Sequence, residues 1–524
     1  MNTFSLADDP KPLSEVATSL AKSLPKGAIV TAERVGDTVK YAAAGKLEPD
    51  GIAPERIIFE IGSISKVFTG LLLAQAVIEK KVNLDTTLQM LLGKDFSFAD
   101  PRAAAISLRQ LATHTSGLPR LPEDLAVNSD PLDPYAHYDR AKLSAYLAKT
   151  KLKGEPPYAK SYSNFGMGLL GDILSRVYDM PWDALIAEKI TGPLGMQDTS
   201  VVLREEQQKR FAPAYDGAKP MQPWNLNALS GAGALRSTAA DLVLFGEALL
   251  HPEKTPLKEA FALMLTPQTR EGDMGLAIFL SKLYDHRVYE HSGGTGGYRS
   301  ALHVLPETNT VQVVLINNAA MEGEAVIAHA YRQKPRTTLS DRVVETSALA
   351  AYEGVYPIDP TARFTVVRRD DQLWTQLTGQ TFLQLHTHEK TDRFFLKEVA
   401  AEIQFLRDDD KVTSLILFQN GREVKAKKGD DPTPVIKFRK PEELTPFVGT
   451  YELTPKARFT LKIVKDTLFV QLTGQSFLPV FEKRDDWFEY DVVPAVLEFE
   501  RDRDGKVIAL KLHQNGAIQR AEKK

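Results

Sequence analysis

Four short motifs in the last third of this chain recur at one offset, and that repeat restricts what the segment can fold into. Gly354-Val-Tyr356 returns as Gly449-Thr-Tyr451, and Ala362-Arg-Phe364 as Ala457-Arg-Phe459. Leu377-Thr-Gly-Gln380 returns as Leu472-Thr-Gly-Gln475, and Gln419-Asn-Gly421 as Gln514-Asn-Gly516. Each pair is 95 residues apart; the register slips by one around Asp392/Asp486 and is restored by Lys411/Lys506. Four coincidences at one spacing mean a tandem duplication. Both copies carry alternating segments, such as Phe459-Thr-Leu-Lys-Ile-Val, punctuated by Asp-Gly and Asn-Gly turns. Two copies are too few for a solenoid, so each is expected to form a small antiparallel β-barrel, over residues 345–438 and 441–524. A boundary near Ser340 and a Pro-rich link at Asp430–Pro441 fit that division.

Residues 1–340 read differently. Gly27 to Ala44 is a hairpin pattern with a Gly-Asp turn, and Tyr298 to Asn317 is a second, turning at Pro-Glu-Thr-Asn. Between them lie helical stretches, notably Lys66–Lys80, Ser107–Thr113, Gly166–Val177 and Ala239–Leu249, the last capped by Ser237 or Thr238. Terminal strands around a helical middle predict an antiparallel sheet flanked by helices, with an all-helical lobe. The whole is therefore a multidomain α+β protein ending in two small β-barrels.

Composition excludes several chemistries. The 524 residues have no cysteine, so thiolate catalysis, disulfides and Cys-based zinc sites are ruled out. A net charge of −3 gives no reason to expect nucleic acid or an anionic membrane as partner. No apolar run is long enough to span a bilayer. The first ten residues lack the basic start and apolar core of a signal peptide, and read as native or as a remnant trimmed near Ala7.

The chemistry centres on Phe59-Glu-Ile-Gly-Ser-Ile-Ser-Lys66. Ser63 and Lys66 are one helical turn apart, so hydroxyl and amine can meet on one face and activate a nucleophile. Ser19/Lys22 and Ser23/Lys26 have the same spacing, but only Ser63 follows a short apolar segment and opens a long apolar helix. There it serves either as a plain helix cap or as a nucleophile beside free backbone N–H groups.

Two further boxes add the parts that such a nucleophile needs. Tyr162-Ser-Asn164, the only Tyr-x-Asn in the chain, precedes an apolar helix. Beside Lys66⁺, the Tyr162 phenol is expected to have a lowered pKa and serve as general base. Asn164 offers a donor and an acceptor to a substrate amide; a capping turn with a partly buried tyrosine is the alternative. His291-Ser292-Gly293-Gly294 precedes the Ser300–Leu305 strand and is expected at the sheet edge, where glycines let a substrate backbone lie close. The Gly294 N–H is then a candidate oxyanion donor opposite that of Ser63; a structural glycine turn is the alternative.

In this order the three boxes resemble the penicillin-recognising serine hydrolases, closest to the class C β-lactamase branch with its D-aminopeptidase and esterase relatives. Leu111-Ala-Thr-His-Thr-Ser-Gly-Leu-Pro119, Pro193-Leu-Gly-Met196 and Gly231-Ala-Gly-Ala-Leu-Arg-Ser-Thr238 extend the likeness over roughly residues 15 to 320. The resemblance implies a β-lactamase/transpeptidase-like fold and a serine hydrolase working through an acyl-enzyme. Ser63 matches the acylated nucleophile, Lys66 the amine that helps deprotonate it, and Tyr162 the proton shuttle. Asn164, His291, Ser292 and Gly293 match substrate-binding positions, and the N–H groups of Ser63 and Gly294 the oxyanion hole. No metal or organic cofactor is implied.

One departure bears on substrate. The third box of true β-lactamases usually begins with lysine, whereas here it begins with His291, a poorer carboxylate anchor at pH 7. The expected substrates are β-lactams or D-amino-acid amides, with short acyl esters as the alternative. A non-catalytic penicillin-binding sensor is the alternative of another class. The repeats resemble lipocalin-like modules behind the catalytic domain of some relatives. His386 and His388 are spaced like a metal pair, but His386 aligns with Phe481 in the second copy, so both are expected at the surface. The location expected is periplasmic or secreted, with the signal peptide absent from this sequence, and the cytoplasm as alternative.

Overall fold

The computed structural model describes residues 10–283, 286–331, 345–359, 362–388, 390–419, 421–455, 457–473, 475, 477–514 and 516–524. The boundary expected near Ser340 lies outside these described residues. The chain forms two compact units that divide near residue 332.

The first unit is built on a six-stranded antiparallel sheet. Both sequence hairpins are in it: β1 (Ala28–Val35) with β2 (Thr38–Gly45), and β7 (Arg299–Leu305) with β8 (Thr310–Ile316). Two more strands, β5 (Phe279–Leu283) and β6 (His286–Gly294), complete the order β2-β1-β8-β7-β6-β5. A separate short pair joins β3 (Ile58–Glu60) to β4 (Arg236–Thr238).

Strand alternation gives the sheet two apolar faces. On one, Ile29, Ala301, Val314 and Ile316 pack with α1 (Leu13–Leu20) and α6 (Gly323–Ala330). On the other, Val30, Leu302, Val311 and Val313 meet the main core, which includes α2 (Ser65–Ile78) and α5 (Ala239–Leu250). Thr238 caps α5, its hydroxyl accepting the Asp241 N–H at 3.1 Å. Ser107 closes a capping box with Gln110 on α3 (Leu108–Ala112). In α4 (Asn164–Tyr178), a Cβ at Gly171 would stand 3.0 Å from the Gly231 Cα, so the 227–232 turn approaches this helix backbone to backbone. No helix among the described residues is long and apolar enough to cross a membrane.

The second unit holds the duplication. The first copy is an eight-stranded antiparallel sheet from Gly354–Pro357 to Arg422–Lys427, and the second a closed eight-stranded barrel from Gly449–Thr454 to Ala517–Lys523. Equivalent bonds recur across the repeat. The Tyr356 hydroxyl donates to the Tyr352 carbonyl at 2.7 Å, and that of Tyr451 to the Phe447 carbonyl at 2.8 Å. Arg407 pairs with Asp392, and Arg501 with Asp486. The Gly429 N–H meets the Val355 carbonyl in the first copy, as the Lys524 N–H meets that of Thr450 in the second.

Phe382 of the first copy packs edge-on against Phe481 of the second, 5.2 Å between ring centres, with Ile436 and Phe438 of the link beside them. His386 and His388 are corrected: both are buried, His386 near the Phe395 ring, and the His388 Nδ1 accepts the Lys390 N–H. Repeat alignment identified the position of His386 but not which way its strand faces. Tyr356→Phe and Tyr451→Phe should each cost about 1–2 kcal/mol, because each strands a buried carbonyl. Urea unfolding of the full chain, followed by tryptophan fluorescence, checks this.

Candidate active site

Ser63 lies in a 3₁₀ turn, Gly62–Ile64, between β3 and α2. The cap positions of this turn and of α2 are Ile61 and Ile64 rather than Ser63, so the helix-cap reading fails. Gly62 has φ +50°, a left-handed conformation suited to glycine. A Cβ there would also stand 2.7 Å from the Gly294 nitrogen. Gly293 packs as tightly from the other side, where a Cβ would be 2.0 Å from the Ile61 carbonyl oxygen and 2.9 Å from the Ser63 nitrogen. The glycines of the third box thus bring the end of β6 onto the turn that carries Ser63.

The expected sheet-edge position holds at the box itself, although β6 as a whole is an interior strand. β6 lies between β5 and β7. Its pairing with β5 ends at Glu290, however, while its pairing with β7 runs on to Gly294. Residues 291–294 therefore have one side without a β5 partner, and the Ile61–Ser63 backbone packs against Gly293 there. His291 is buried, and Ser292 is exposed, alternating to the other face of the strand.

Lys66, on the first turn of α2, has no exposed surface. Its Nζ is 2.9 Å from the Ser63 Oγ and donates to the Ala232 carbonyl at 2.5 Å. Two more bonds dock this end of α2 on the 231–235 segment: the Thr69 hydroxyl donates to the Gly231 carbonyl, and the Leu235 N–H to the Ser65 Oγ. Burial drives the Lys66 pKa well below its ordinary 10.5, and the positive charge of Arg120 pushes the same way. Burial and that charge thus weaken the amine's hold on its proton.

Burial also changes the expectation for Tyr162. Its ring centre is 4.9 Å from the Lys66 Nζ, and its hydroxyl hydrogen-bonds Ser63. Burial nevertheless pushes the phenol up to about 12, overriding the lowering effects of that bond and of Arg120. The expected lowering is thus wrong in sign, because burial of the phenol itself outweighs the positive charge beside it. Asn164 opens α4, with its amide beside the Tyr135 hydroxyl and its Oδ1 buried without a hydrogen-bond partner among the described residues.

His291 sits between the rings of Phe279, 5.3 Å away, and Tyr162, 6.3 Å away. Its Nδ1 is 2.6 Å from the Ser292 carbonyl oxygen, and its buried Nε2 has no hydrogen-bond partner among the described residues. Burial lowers its pKa to about 4, so the ring is neutral at pH 7.

Ser63, Lys66, Tyr162, Asn164, His291 and the Gly293–Gly294 backbone come together from three separate segments. Two neighbours escaped sequence reading. His114 stacks 4.4 Å from Tyr162 and accepts the Ser163 N–H at Nδ1; burial drives its pKa well below 6.5. Arg120 stands with its guanidinium carbon 5.2 Å from the Tyr162 ring centre. Both belong to one loop, the Leu111–Pro119 segment and its next residue, whose own residues show no reactive spacing.

Comparison with known proteins gives the family. A family model described as Beta-lactamase matches residues 19–334, more than half of the chain. A domain of unknown function (DUF3471) matches twice, over 341–428 and 434–523. Penicillin-binding protein 4* of Bacillus subtilis (strain 168) is 25% identical over 446 residues, covering 76% of this chain and 94% of that protein. The D-alanyl-D-alanine-carboxypeptidase/endopeptidase AmpH of Escherichia coli (strain K12) is 25% identical over 281 residues, covering 50% and 72%. A class C beta lactamase from Rhodobacter sphaeroides superposes with a TM-score of 0.53 at 21% identity, covering 61% of this chain and 96% of that one. That likeness is one of fold: a β-lactamase/transpeptidase-like unit.

Proposed function

Because this chain belongs to the β-lactamase family and is a serine hydrolase, we propose that it acts through an acyl-enzyme on Ser63, cleaving β-lactam or D-amino-acid amide bonds. The observation that carries this is the buried Lys66 amine 2.9 Å from the Ser63 Oγ. A neutral amine has the lone pair that an ammonium lacks, so it can take the hydroxyl proton as Oγ attacks the carbonyl carbon. The carbonyl oxygen becomes an oxyanion between the N–H groups of Ser63 and Gly294. On collapse the C–N bond breaks. The leaving nitrogen takes a proton from the Tyr162 hydroxyl, which recovers one from the Lys66 ammonium. Water then attacks the ester carbonyl, passing its proton back along the same groups, and Ser63 is released. A phenol with a pKa of about 12 suits a proton relay rather than a standing phenolate. The Asn164 Oδ1 is the acceptor for a substrate N–H. With wall peptides as the substrate class, a periplasmic or secreted location follows as part of this reading.

A second reading, hydrolysis of short acyl esters, is favoured by His291, which is buried and neutral where a lysine would offer a cation. Intact-protein mass spectrometry after exposure to nitrocefin, a D-alanyl p-nitroanilide and p-nitrophenyl butyrate separates the two. An adduct on Ser63 from either of the first two is expected. Turnover of the butyrate alone would replace this reading by the esterase, and failure to label with any of them would favour the sensor.

The pH dependence follows from the protonation states. The rate should rise with pH as Lys66 loses its proton, with the midpoint well below 10.5. No loss attributable to Tyr162 should appear before about pH 12. An alkaline limb nearer neutrality that disappears in Tyr162→Phe would show that the phenolate is the base instead.

A further inference from the structure

If His291 is neutral, an anionic substrate needs another cation, and the loop beside the tyrosine box supplies one. The Arg120 carbonyl accepts the Asn164 and Phe165 N–H groups at 2.9 and 3.2 Å, and the Pro119 carbonyl accepts the Ser163 hydroxyl at 2.6 Å. The Arg120 backbone is therefore fixed to the N-terminus of α4, two residues from Tyr162. Its side chain is exposed, and its guanidinium lies over the Tyr162 ring. The charge bears on Lys66, His114, Tyr135 and Tyr162, the groups that surround Ser63.

Other cations near the site are engaged. Arg236 pairs with Glu60, Lys160 with Asp273, and Arg299 with Glu322. Lys66 is held between Ser63 and Ala232. Among the described residues Arg120 makes no ion pair and no side-chain hydrogen bond.

We propose that Arg120 is the specificity-determining cation of this site, binding the carboxylate of an anionic acyl donor such as a β-lactam or a peptide ending in a free D-amino acid. A guanidinium fixed at its backbone and free at its tip can take a carboxylate in two parallel hydrogen bonds. Stacking on the tyrosine holds it without using up a donor. The inference rests on the acyl-enzyme reading of Ser63, and it predicts that the site selects for the negative charge which His291 cannot hold.

The test compares a thiolester depsipeptide ending in a free carboxylate with its methyl ester, on the full chain. Arg120→Ala should lower the kcat/KM ratio of acid over methyl ester by roughly 10- to 100-fold, mostly through KM, and Arg120→Lys should restore part of it. An acid-to-ester ratio within about twofold of the parent would overturn the proposal, whatever happened to the absolute rates. Binding of the same two compounds to Ser63→Ala, with and without Arg120→Ala, separates this proposal from the one on which it rests. If Ser63 is not the nucleophile, Ser63→Ala still turns over substrate. If Arg120 is not the anchor, the acid binds no more weakly when it is removed.

Discussion

Lys66→Met should leave the folded protein at least as stable as the parent while slowing acylation of Ser63 by about 10²- to 10⁴-fold. The two effects part because Lys66 has no exposed surface, and its bonds are to a hydroxyl and a carbonyl rather than to a carboxylate. An amine buried without a counter-charge is a cost to folding, and methionine fills a similar volume without it. The loss of one bond to the Ala232 carbonyl works against this gain. The pH dependence gives the sign. The folded pKa is lowered, so between that value and 10.5 the folded protein gives up a proton that the unfolded chain keeps. The penalty is largest at and below the folded pKa and disappears as pH rises through 10.5. Thermal unfolding at several pH values should therefore show the advantage of Lys66→Met shrinking as pH rises. A marked loss of stability at neutral pH would mean that Lys66 is structural.

Gly293→Ala should damage both fold and chemistry. The new Cβ would stand 2.0 Å from the Ile61 carbonyl oxygen, 2.5 Å from the Ser300 hydroxyl and 2.9 Å from the Ser63 nitrogen. Two of these are backbone atoms, so β6 and the Ser63 turn must separate. Overpacking of this kind costs about 1–3 kcal/mol, and more where backbone is the obstacle. The same separation pulls the Ser63 and Gly294 N–H groups apart, and misplacing an oxyanion donor costs about 10²- to 10³-fold in kcat. Gly294→Ala is the control for stability. There the nearest atom is the Arg299 side chain at 3.2 Å, a contact relieved by a shift of a few tenths of an ångström, so the cost should stay below about 1 kcal/mol. Denaturant midpoints and single-turnover acylation rates measure both effects. Equal stability of the two variants would contradict the packing described for Gly293.

Local pattern made much of this molecule legible. The helix that carries Lys66 announced itself by its apolar run, the hairpins by their turns, and the second unit by its 95-residue repeat. Each depends on residues a few positions apart, or on one segment copied from another. Arg120 was not legible, because nothing in its own neighbourhood marks it out. What matters there is that its carbonyl bonds the first turn of α4, and that no carboxylate among the described residues reaches its guanidinium.

The amino-acid sequence by itself determined which reactive groups this protein has: a serine and a lysine one turn apart, a tyrosine box, and a glycine box headed by histidine. Only the tertiary structure decided their exposure, and with it the direction in which each pKa moves. It buried Lys66 and His291, moving both pKa values down, and raised the Tyr162 phenol to about 12 where the sequence suggested a fall. It also buried His386 and His388, which pattern alone placed at the surface. The reason is physical. A pKa depends on how much water and charge surround a group, and here those surroundings come from segments far apart in the chain, including Arg120, Ala232 and the end of β6.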